Sequence, residues 1–513
     1  MIVPISIIQK NIIIITLLFT ATVVSQNQRF DTFIKDSLDN YIESSILKWE
    51  IPGLAIGIVK EGQIIFNKGY GIKQINKSDT VNRNTLFNIG SLTKAITCAS
   101  VVIESQKNNF ALSDPINKWL PNFHFKNSIA SSNVIIEDIL TGRTGLGSHQ
   151  GDFLFWKTQL NKNNIINIFH HIETEIVPRR KFIYNNTSYI LLDDILLNAT
   201  GKDWKGTIKS NFFFPLKMND SYTSSNEIPI EKKNCLAYPH LKHTKKIIRL
   251  SHEDIQNMGP AGSIVSSSTD MCKWMMEFIN MDGVFGSSTK KTIRRPYQLR
   301  GYRTHKENTN QLRFLFSGMG WNIFEEYNHL TYVHDGGTDG YKSYLMIIPE
   351  SKYGVIVLTN SRSHNFAEAL VEELHYAIMN QPFQNISNEY LKTYRAKERE
   401  ELNNETKLNK LKHTKTAYSI EDYTGTYHNL LYGNMKIELS NNYLKLRLLQ
   451  HQNTLSAQMS YLGNDSFLLS FSSPEFSSTR IDFSRKNNQV EGFTFFAEAS
   501  GDINYEFLKV KSL

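Results

Sequence analysis

Cysteine is nearly absent: Cys98, Cys235 and Cys272 are the three in 513 residues. An odd number without C-x-x-C spacing indicates neither a disulfide framework nor a thiolate zinc site. Cys98 and Cys272 fall in helical patterns and read as small buried apolar residues. Long apolar runs are missing too. The most apolar stretch, Ile12 to Val24, follows Lys10 and precedes Ser25-Gln26-Asn27-Gln28. It is too short to span a bilayer comfortably and has the layout of a secretory signal cut near Ser25, with an uncleaved anchor as the alternative. No cysteine follows it, which argues against a lipid anchor. Charge of one sign is not concentrated anywhere, although 57 Lys and Arg against 49 Asp and Glu leave a net +8. The densest basic stretch, Lys392 to Lys415, is broken by Glu398, Glu400, Glu401 and Glu405, as in a solvated charged helix or linker rather than a nucleic-acid surface. His-Glu-x-x-His, a phosphate-binding glycine loop and internal repeats are all lacking, so no metal and no cofactor is expected.

What remains is an ordinary globular composition, 40% hydrophobic, in a chain long enough for two or three domains. A first helix, Phe30 to Trp49, precedes two apolar runs, Gly53 to Lys60 and Gln63 to Asn67, separated by Glu61-Gly62 as in a hairpin. Two further strands come late, Lys342 to Ile348 and Tyr353 to Asn360, and between them lies a mostly helical middle with Ile135 to Thr141, Ser188 to Thr200 and Thr269 to Asn280. A sheet built from both ends of the chain with helices inserted is an α/β layered architecture. Polar, charged sequence from 381 to 416 reads as a linker. Beyond it come seven short alternating strands, Gly425 to Asn429, Met435 to Leu439, Leu444 to Leu449, Ser466 to Phe471, Arg480 to Ser484, Gly492 to Phe496 and Tyr505 to Val510, as in a small barrel or sandwich.

Ser91-Leu92-Thr93-Lys94 carries the most chemistry. Thr85 to Gly90 reads as a strand ending in a glycine that tolerates a tight turn, and Ala95, Ile96, Ala99, Val102 and Ile103 recur at helical spacing. Ser91 then opens a helix, with its N–H among the unpaired donors of the first turn and Lys94 one turn on, on the same face. Ser-x-x-Lys also occurs at Ser45/Lys48, Ser287/Lys290 and Ser288/Lys291, but the first lies inside an amphipathic stretch and the others read as loop.

Taken in order, Ser91-x-x-Lys94, Tyr184-x-Asn186 and His334-x-Gly336 resemble the three motifs of the serine β-lactamase and penicillin-binding superfamily, in its class C, D-aminopeptidase and esterase branch. Val134 to Leu146, Pro215-Leu216-Lys217-Met218, Gly259 to Trp274 and Gly318-Met319-Gly320-Trp321 look like that family's connecting segments. The resemblance covers roughly Asp31 to Ile378. The C-terminal part, with Asp422-Tyr423-Thr424-Gly425-Thr426-Tyr427, is similar to the lipocalin-like domain attached to many such hydrolases. The implied fold is a β-lactamase/transpeptidase-like antiparallel sheet flanked by helices, with a helical subdomain, followed by a small β-barrel. The implied layout is a signal peptide at 1–25, a hydrolase domain at 30–380, a charged linker at 381–416 and a lipocalin-like domain at 417–513.

The resemblance implies Ser91 as nucleophile, with Lys94 and Tyr184 in contact with it. A serine hydroxyl needs a base, and a lysine kept from water, or a tyrosine beside a cation such as Lys94, can serve near neutrality. It also implies an oxyanion site at the N–H groups of Ser91 and Gly337, and substrate contacts at Asn186, His334 and Gly336. The expected activity is that of an exported serine hydrolase, periplasmic or secreted, working through an acyl-enzyme on esters, small amides or D-amino-acid peptides. The expected partner is such a small-molecule substrate, with no nucleic acid and no stable membrane insertion after signal cleavage; self-association stays open. The alternative is an inactive binding or sensor protein on the same fold.

Three departures from the family pattern stand out. His334 replaces the usual lysine and is expected to titrate near neutrality, which weakens any hold on a β-lactam carboxylate. Gly142 stands where histidine is usual, and Lys217 where glycine is. Arg143, His149, Asp335 and Asp339 are polar enough to line the cleft, with solvated loop residues as the commoner outcome.

Overall fold

A strand can be apolar throughout only when both its faces are covered, and Gly53 to Val59 has no polar side chain. The computed structural model describes residues 29–510 apart from 108, 175, 244–245, 303–313, 363, 413–415, 417, 452–454 and 497–503. The signal-like segment 1–25 lies outside the described residues. Helix α1 (Leu38–Trp49) leads into the hairpin β1 (Gly53–Lys60) and β2 (Gln63–Gly71). Its two turn residues, Glu61 and Gly62, both have positive φ, the geometry that matches strand twist in a two-residue hairpin. The middle of the chain then supplies β3 (Phe87–Asn88), α2 (Leu92–Gln106), α3 (Ile136–Leu140), α4 (Leu191–Thr200), β4 (Val265–Ser266), α5 (Ser268–Ile279) and α6 (Gly286–Ile293).

The chain returns to the sheet with β5 (Gln298–Tyr302), β6 (Phe314–Ser317), β7 (Asn322–Glu326), β8 (His329–Thr338), β9 (Tyr341–Ile348) and β10 (Tyr353–Thr359), before α7 (Phe366–Ile378) and α8 (Ile386–Lys410). The sheet is antiparallel in the order β2-β1-β10-β9-β8-β7-β6-β5. Leu54, Ile56 and Ile58 of β1 join Val355 and Val357 of β10 in a core shared with α1 and α7. On the other face Ala55, Val59, Ile356 and Leu358 pack with α2 and α5. Both covered faces explain the unbroken apolar runs.

Two readings are decided. Of the solvated helix and the linker left open for the charged segment, the structure has the helix: α8, 25 residues long, buries only Ile386, Ser387 and Leu391. Ser287 and Ser288, read as loop, lie on α6, where Lys290 is buried against Glu277 at 2.8 Å. That lysine already has a carboxylate partner.

Eight strands close the C-terminal barrel: β11 (Gly425–Asn429), β12 (Gly433–Ser440), β13 (Tyr443–Leu448), β14 (Ser456–Gly463), β15 (Ser466–Phe471), β16 (Thr479–Lys486), β17 (Gln489–Phe496) and β18 (Asn504–Lys509). Closure removes the exposed edges that a sheet otherwise presents. The interior is packed with rings, among them Tyr423, Tyr427, Phe467, Phe483, Phe493 and Phe507. Among the described residues no helix is long and apolar enough to cross a membrane.

Candidate active site

Ser91 owes its position to a short ribbon and a turn. β3 pairs with β4 rather than with the main sheet, Phe87 opposite Ser266 and Asn88 opposite Val265. The Asn88 side chain then accepts a hydrogen bond from the Gly90 N–H at 2.7 Å, closing the turn. Gly90 has φ of 54°, and a Cβ there would meet the Gly337 nitrogen at 2.7 Å. Gly336 is as confined, since its Cβ would lie 2.0 Å from the Ile89 carbonyl oxygen. Glycine at these positions lets β8 run directly beside the turn that carries Ser91. In the first turn of α2, Leu92, Thr93 and Lys94 donate to the carbonyls of Ile89, Gly90 and Ser91, and the Ser91 N–H is outside that set.

Helix α2 is buried along nearly its whole length, Lys94 included at 2% exposure. Lys94 Nζ lies 3.0 Å from Ser91 Oγ and donates to the Ala261 carbonyl at 2.7 Å. Burial lowers its pKa from 10.5 to about 7, against the pull of Asp152, Cys98 and Asp335. Near neutrality a large share of this amine is therefore unprotonated, with a lone pair for the serine proton.

Tyr184 donates to Ser91 Oγ at 2.6 Å from the loop before α4. Its carbonyl accepts from the His149 N–H, and Ile183 N–H donates to Gly142. Burial, with Asp335 and Asp152 adding to it, pushes the phenol well above its ordinary value. Tyr184 is a proton donor at neutral pH. The expectation that Lys94 would favour its phenolate gives way, because a largely neutral amine contributes little charge and desolvation dominates.

His334 is buried on β8, its Nδ1 2.5 Å from the Asp335 carbonyl. A carbonyl can only accept, so Nδ1 carries the proton and Nε2 the lone pair. Burial lowers its pKa to about 4 despite the opposing effect of Asp335. The imidazole is neutral across the physiological range, correcting the expectation that it titrates there. Beyond Val333, the last residue paired with β7, this edge of β8 leaves the ladder and turns to the site.

Asn186 is brought close but held by a residue that the sequence did not nominate. Its Nδ2 donates to Asp152 Oδ2 at 2.7 Å, and the same oxygen lies 2.7 Å from His149 Nδ1. The His149 ring sits beside Tyr184, centroids 5.2 Å apart. Neighbouring Asn185 is structural instead, donating to the carbonyls of Gly147 and Gln150. The available signal for Asp152 was its spacing of three from His149, just beyond the family-like segment that ends at Leu146.

A cavity of about 260 Å³ opens here, lined by Lys94, Tyr184 and His334 together with Phe182, Arg300 and Asp335. The polar residues read as solvated loop are mostly engaged. Arg143 pairs with Glu137 at 2.8 Å, Asp335 with Lys342 at 3.2 Å, and Asp339 with Arg362 at 3.0 Å and with the Trp156 indole. The partners of Asp339 come from distant stretches of chain, whereas those of Arg143 and Asp335 lie six and seven residues away. Among the described residues no cluster of three or more His, Cys, Asp or Glu is placed to hold a metal ion.

Comparisons with known proteins bear on the family and the fold. The Beta-lactamase family model matches residues 33–377, and a model described as a domain of unknown function (DUF3471) matches 409–509. Protein flp of Staphylococcus aureus is 25% identical over 350 residues, 67% of each chain. The unguisins hydrolase ungD of Aspergillus violaceofuscus is 25% identical over 354 residues, 64% of this chain and 62% of that one. The octameric penicillin-binding protein homologue of Pyrococcus abyssi superposes with a TM-score of 0.59 at 20% identity, covering 92% of this chain and 99% of its own. A class C beta lactamase from Rhodobacter sphaeroides gives 0.53 at 17% identity, over 67% and 99%. At these identities the structural likenesses show the fold alone. With a family match across most of its length, and with that family's fold, the chain belongs to the Beta-lactamase family, within the serine hydrolase superfamily.

Proposed function

We propose that this protein is an exported serine hydrolase acting through an acyl-enzyme on carboxylic esters and small amides, D-amino-acid peptides included. One observation carries the reading: Ser91 Oγ lies 3.0 Å from a lysine amine whose pKa is about 7, and 2.6 Å from a phenol that keeps its proton. In this reading Ser91 Oγ bonds to the substrate carbonyl carbon as its proton passes to Lys94. The oxyanion faces the N–H groups of Ser91 and Gly337, fixed donors that need no reorganisation. Tyr184 protonates the departing oxygen or nitrogen and is reprotonated from Lys94. Water then attacks the acyl carbon, its proton going to Lys94, and Ser91 leaves with a proton from the same pair. Asn186, tied to Asp152, holds the acyl side of the substrate. Esters are preferred over β-lactams because His334, neutral above about 4, brings no positive charge to the third motif.

The proposal includes cleavage of the signal near Ser25, boundaries at 30–380 and 417–513 for the two domains, and self-association. Support for self-association comes from the Pyrococcus abyssi homologue, which is octameric. The direct test of chemistry is fluorophosphonate labelling of wild type and Ser91→Ala, followed by turnover of 4-nitrophenyl esters and D-amino-acid anilides. Labelling and turnover are expected in wild type and lost in Ser91→Ala. A wild type that neither labels nor turns over would favour the binding-protein alternative.

A further inference from the structure

The cavity beside Ser91 has basic side chains of two kinds. Lys94 is largely neutral near pH 7, and His334 is neutral there. Arg300, on β5, is the permanent cation on the cavity wall. Its guanidinium lies over the Phe182 ring, 4.1 Å from the centroid, and Nη1 donates to the Asn322 side chain. Both contacts fix its orientation, and neither neutralises it. Among the described residues no carboxylate pairs with Arg300, whereas Arg143, Lys342 and Arg362 each have one. Asp335, the carboxylate that shares the cavity wall, is already held by Lys342 at 3.2 Å.

Phe182 can lie where it does because Gly142 has no side chain. A Cβ on Gly142 would meet the Phe182 ring at 2.7 Å, and the residue sits at φ of 64°. The glycine that departs from the family pattern therefore makes room for the ring on which Arg300 rests. An oriented guanidinium with free donors, lacking an internal partner and facing a reaction cavity, is suited to a planar oxyanion.

We propose that Arg300 is a specificity-determining residue that binds a carboxylate carried by the substrate. This rests on the hydrolase reading above and deepens it: the substrates are esters or amides with an acidic group a few bonds from the scissile carbonyl. A cavity of about 260 Å³ leaves room for no long spacer.

The test uses matched pairs. On the leaving-group side, 4-acetoxybenzoate is compared with its methyl ester. On the acyl side, adipic acid mono-4-nitrophenyl ester is compared with methyl 4-nitrophenyl adipate. In wild type the carboxylate member of at least one pair should be preferred about tenfold or more in kcat/KM, mainly through KM, the range of one charge-assisted contact. Arg300→Met should collapse that ratio towards one, and Arg300→Lys should keep part of it. Ratios near one in wild type, or a preference that survives Arg300→Met, would overturn the proposal. Should no ester turn over, calorimetric titration of 4-acetoxybenzoate and its methyl ester into Ser91→Ala and Ser91→Ala/Arg300→Met decides the question without catalysis. Tighter binding of the acid that depends on Arg300 supports the proposal; equal affinities overturn it. Fluorophosphonate labelling alongside shows separately whether the Ser91 chemistry stands.

Discussion

At the scale of single residues, function turns on how burial sets protonation. Ser91, Lys94, Tyr184 and His334 were all legible in the sequence, because their types and order suffice to nominate them. Their charge states were not, since these depend on neighbours that sequence spacing does not reveal. Desolvation moves Lys94 down to about 7 and His334 to about 4, and moves Tyr184 upward. Activity should therefore rise with pH through an apparent pKa near 7 that belongs to Lys94, and His334→Gln should leave that limb in place. The same shift makes a stability statement. Between about 7 and the unfolded value of 10.5 the unfolded chain holds a proton that folded Lys94 lacks, so this residue makes stability rise with pH across that window. Below about 7 the folded protein bears a buried ammonium and the full penalty. Lys94→Met should thus flatten the pH dependence of Tm between 7 and 10 and raise Tm at pH 7 by about 2 °C or more, while cutting kcat on the order of a hundredfold or more. Thermal melts in a pH series, beside a pH–rate profile, check both. A rising limb that stays near 7 in Lys94→Met would assign it elsewhere.

At the scale of elements, the site is made where β8 passes the turn before α2. His334 and Gly336 face that turn, and Ser343 on the neighbouring strand donates to the Ile89 carbonyl at 2.8 Å. Gly336→Ala would place a methyl 2.0 Å from a backbone oxygen that strand and helix hold from both sides. It should lower kcat by about a hundredfold or more, or cost several kcal/mol of stability, as overpacking against backbone does. At Gly337 the nearest atom to a Cβ is 4.0 Å away, and the N–H is retained, so Gly337→Ala should cost far less. Equal losses in kcat and Tm for the two variants would show that the close approach is not what the glycines serve. The long, strongly patterned elements were readable: α2, the β1–β2 hairpin, β9 and β10. The strands β5 to β7 at the sheet's far edge were not, being short and mixed in polarity. In the barrel β14 escaped notice because Ala457, Met459 and Tyr461, its inward residues, alternate with Ser and Gln and include only one aromatic. Asp152 and Arg300 went unread for a different reason: they act through contacts 34 and 22 residues away in sequence, with Asn186 and Asn322.

At the scale of the whole molecule, the barrel is not a freely separable appendage, although a charged segment divides it from the hydrolase domain in sequence. The loop that carries Asp152 continues into Phe153, which is 5% exposed and packed among Tyr432, His451, Phe476 and Phe495 of the barrel, with ring centroids 4.5 to 6.0 Å apart. His451 Nε2 lies 3.1 Å from the Phe153 carbonyl and donates to it. Trp156 meets Phe476 edge-on at 3.8 Å, and Lys157 pairs with Glu475 at 2.7 Å. Asp152 is one residue from this anchor, and it holds both Asn186 and His149. Composition alone, which shows a charged stretch between the two parts, gives no sign of this grip on the loop. Removing residues 416–513 should expose Phe153 and Trp156, free the loop, and lower kcat by about tenfold or more as Asn186 loses its fixed partner. Phe153→Ala in the full chain isolates the coupling: it should cost about 3 to 5 kcal/mol of stability, the range for deleting a buried aromatic side chain, and reproduce part of the loss in kcat. Asp152→Asn should weaken turnover without disturbing the barrel, since Asp152 touches Asn186 and His149. Steady-state kinetics and denaturant unfolding on the three proteins separate these effects. Unchanged kcat in both the truncation and Phe153→Ala would mean that the barrel grips the loop without governing the site.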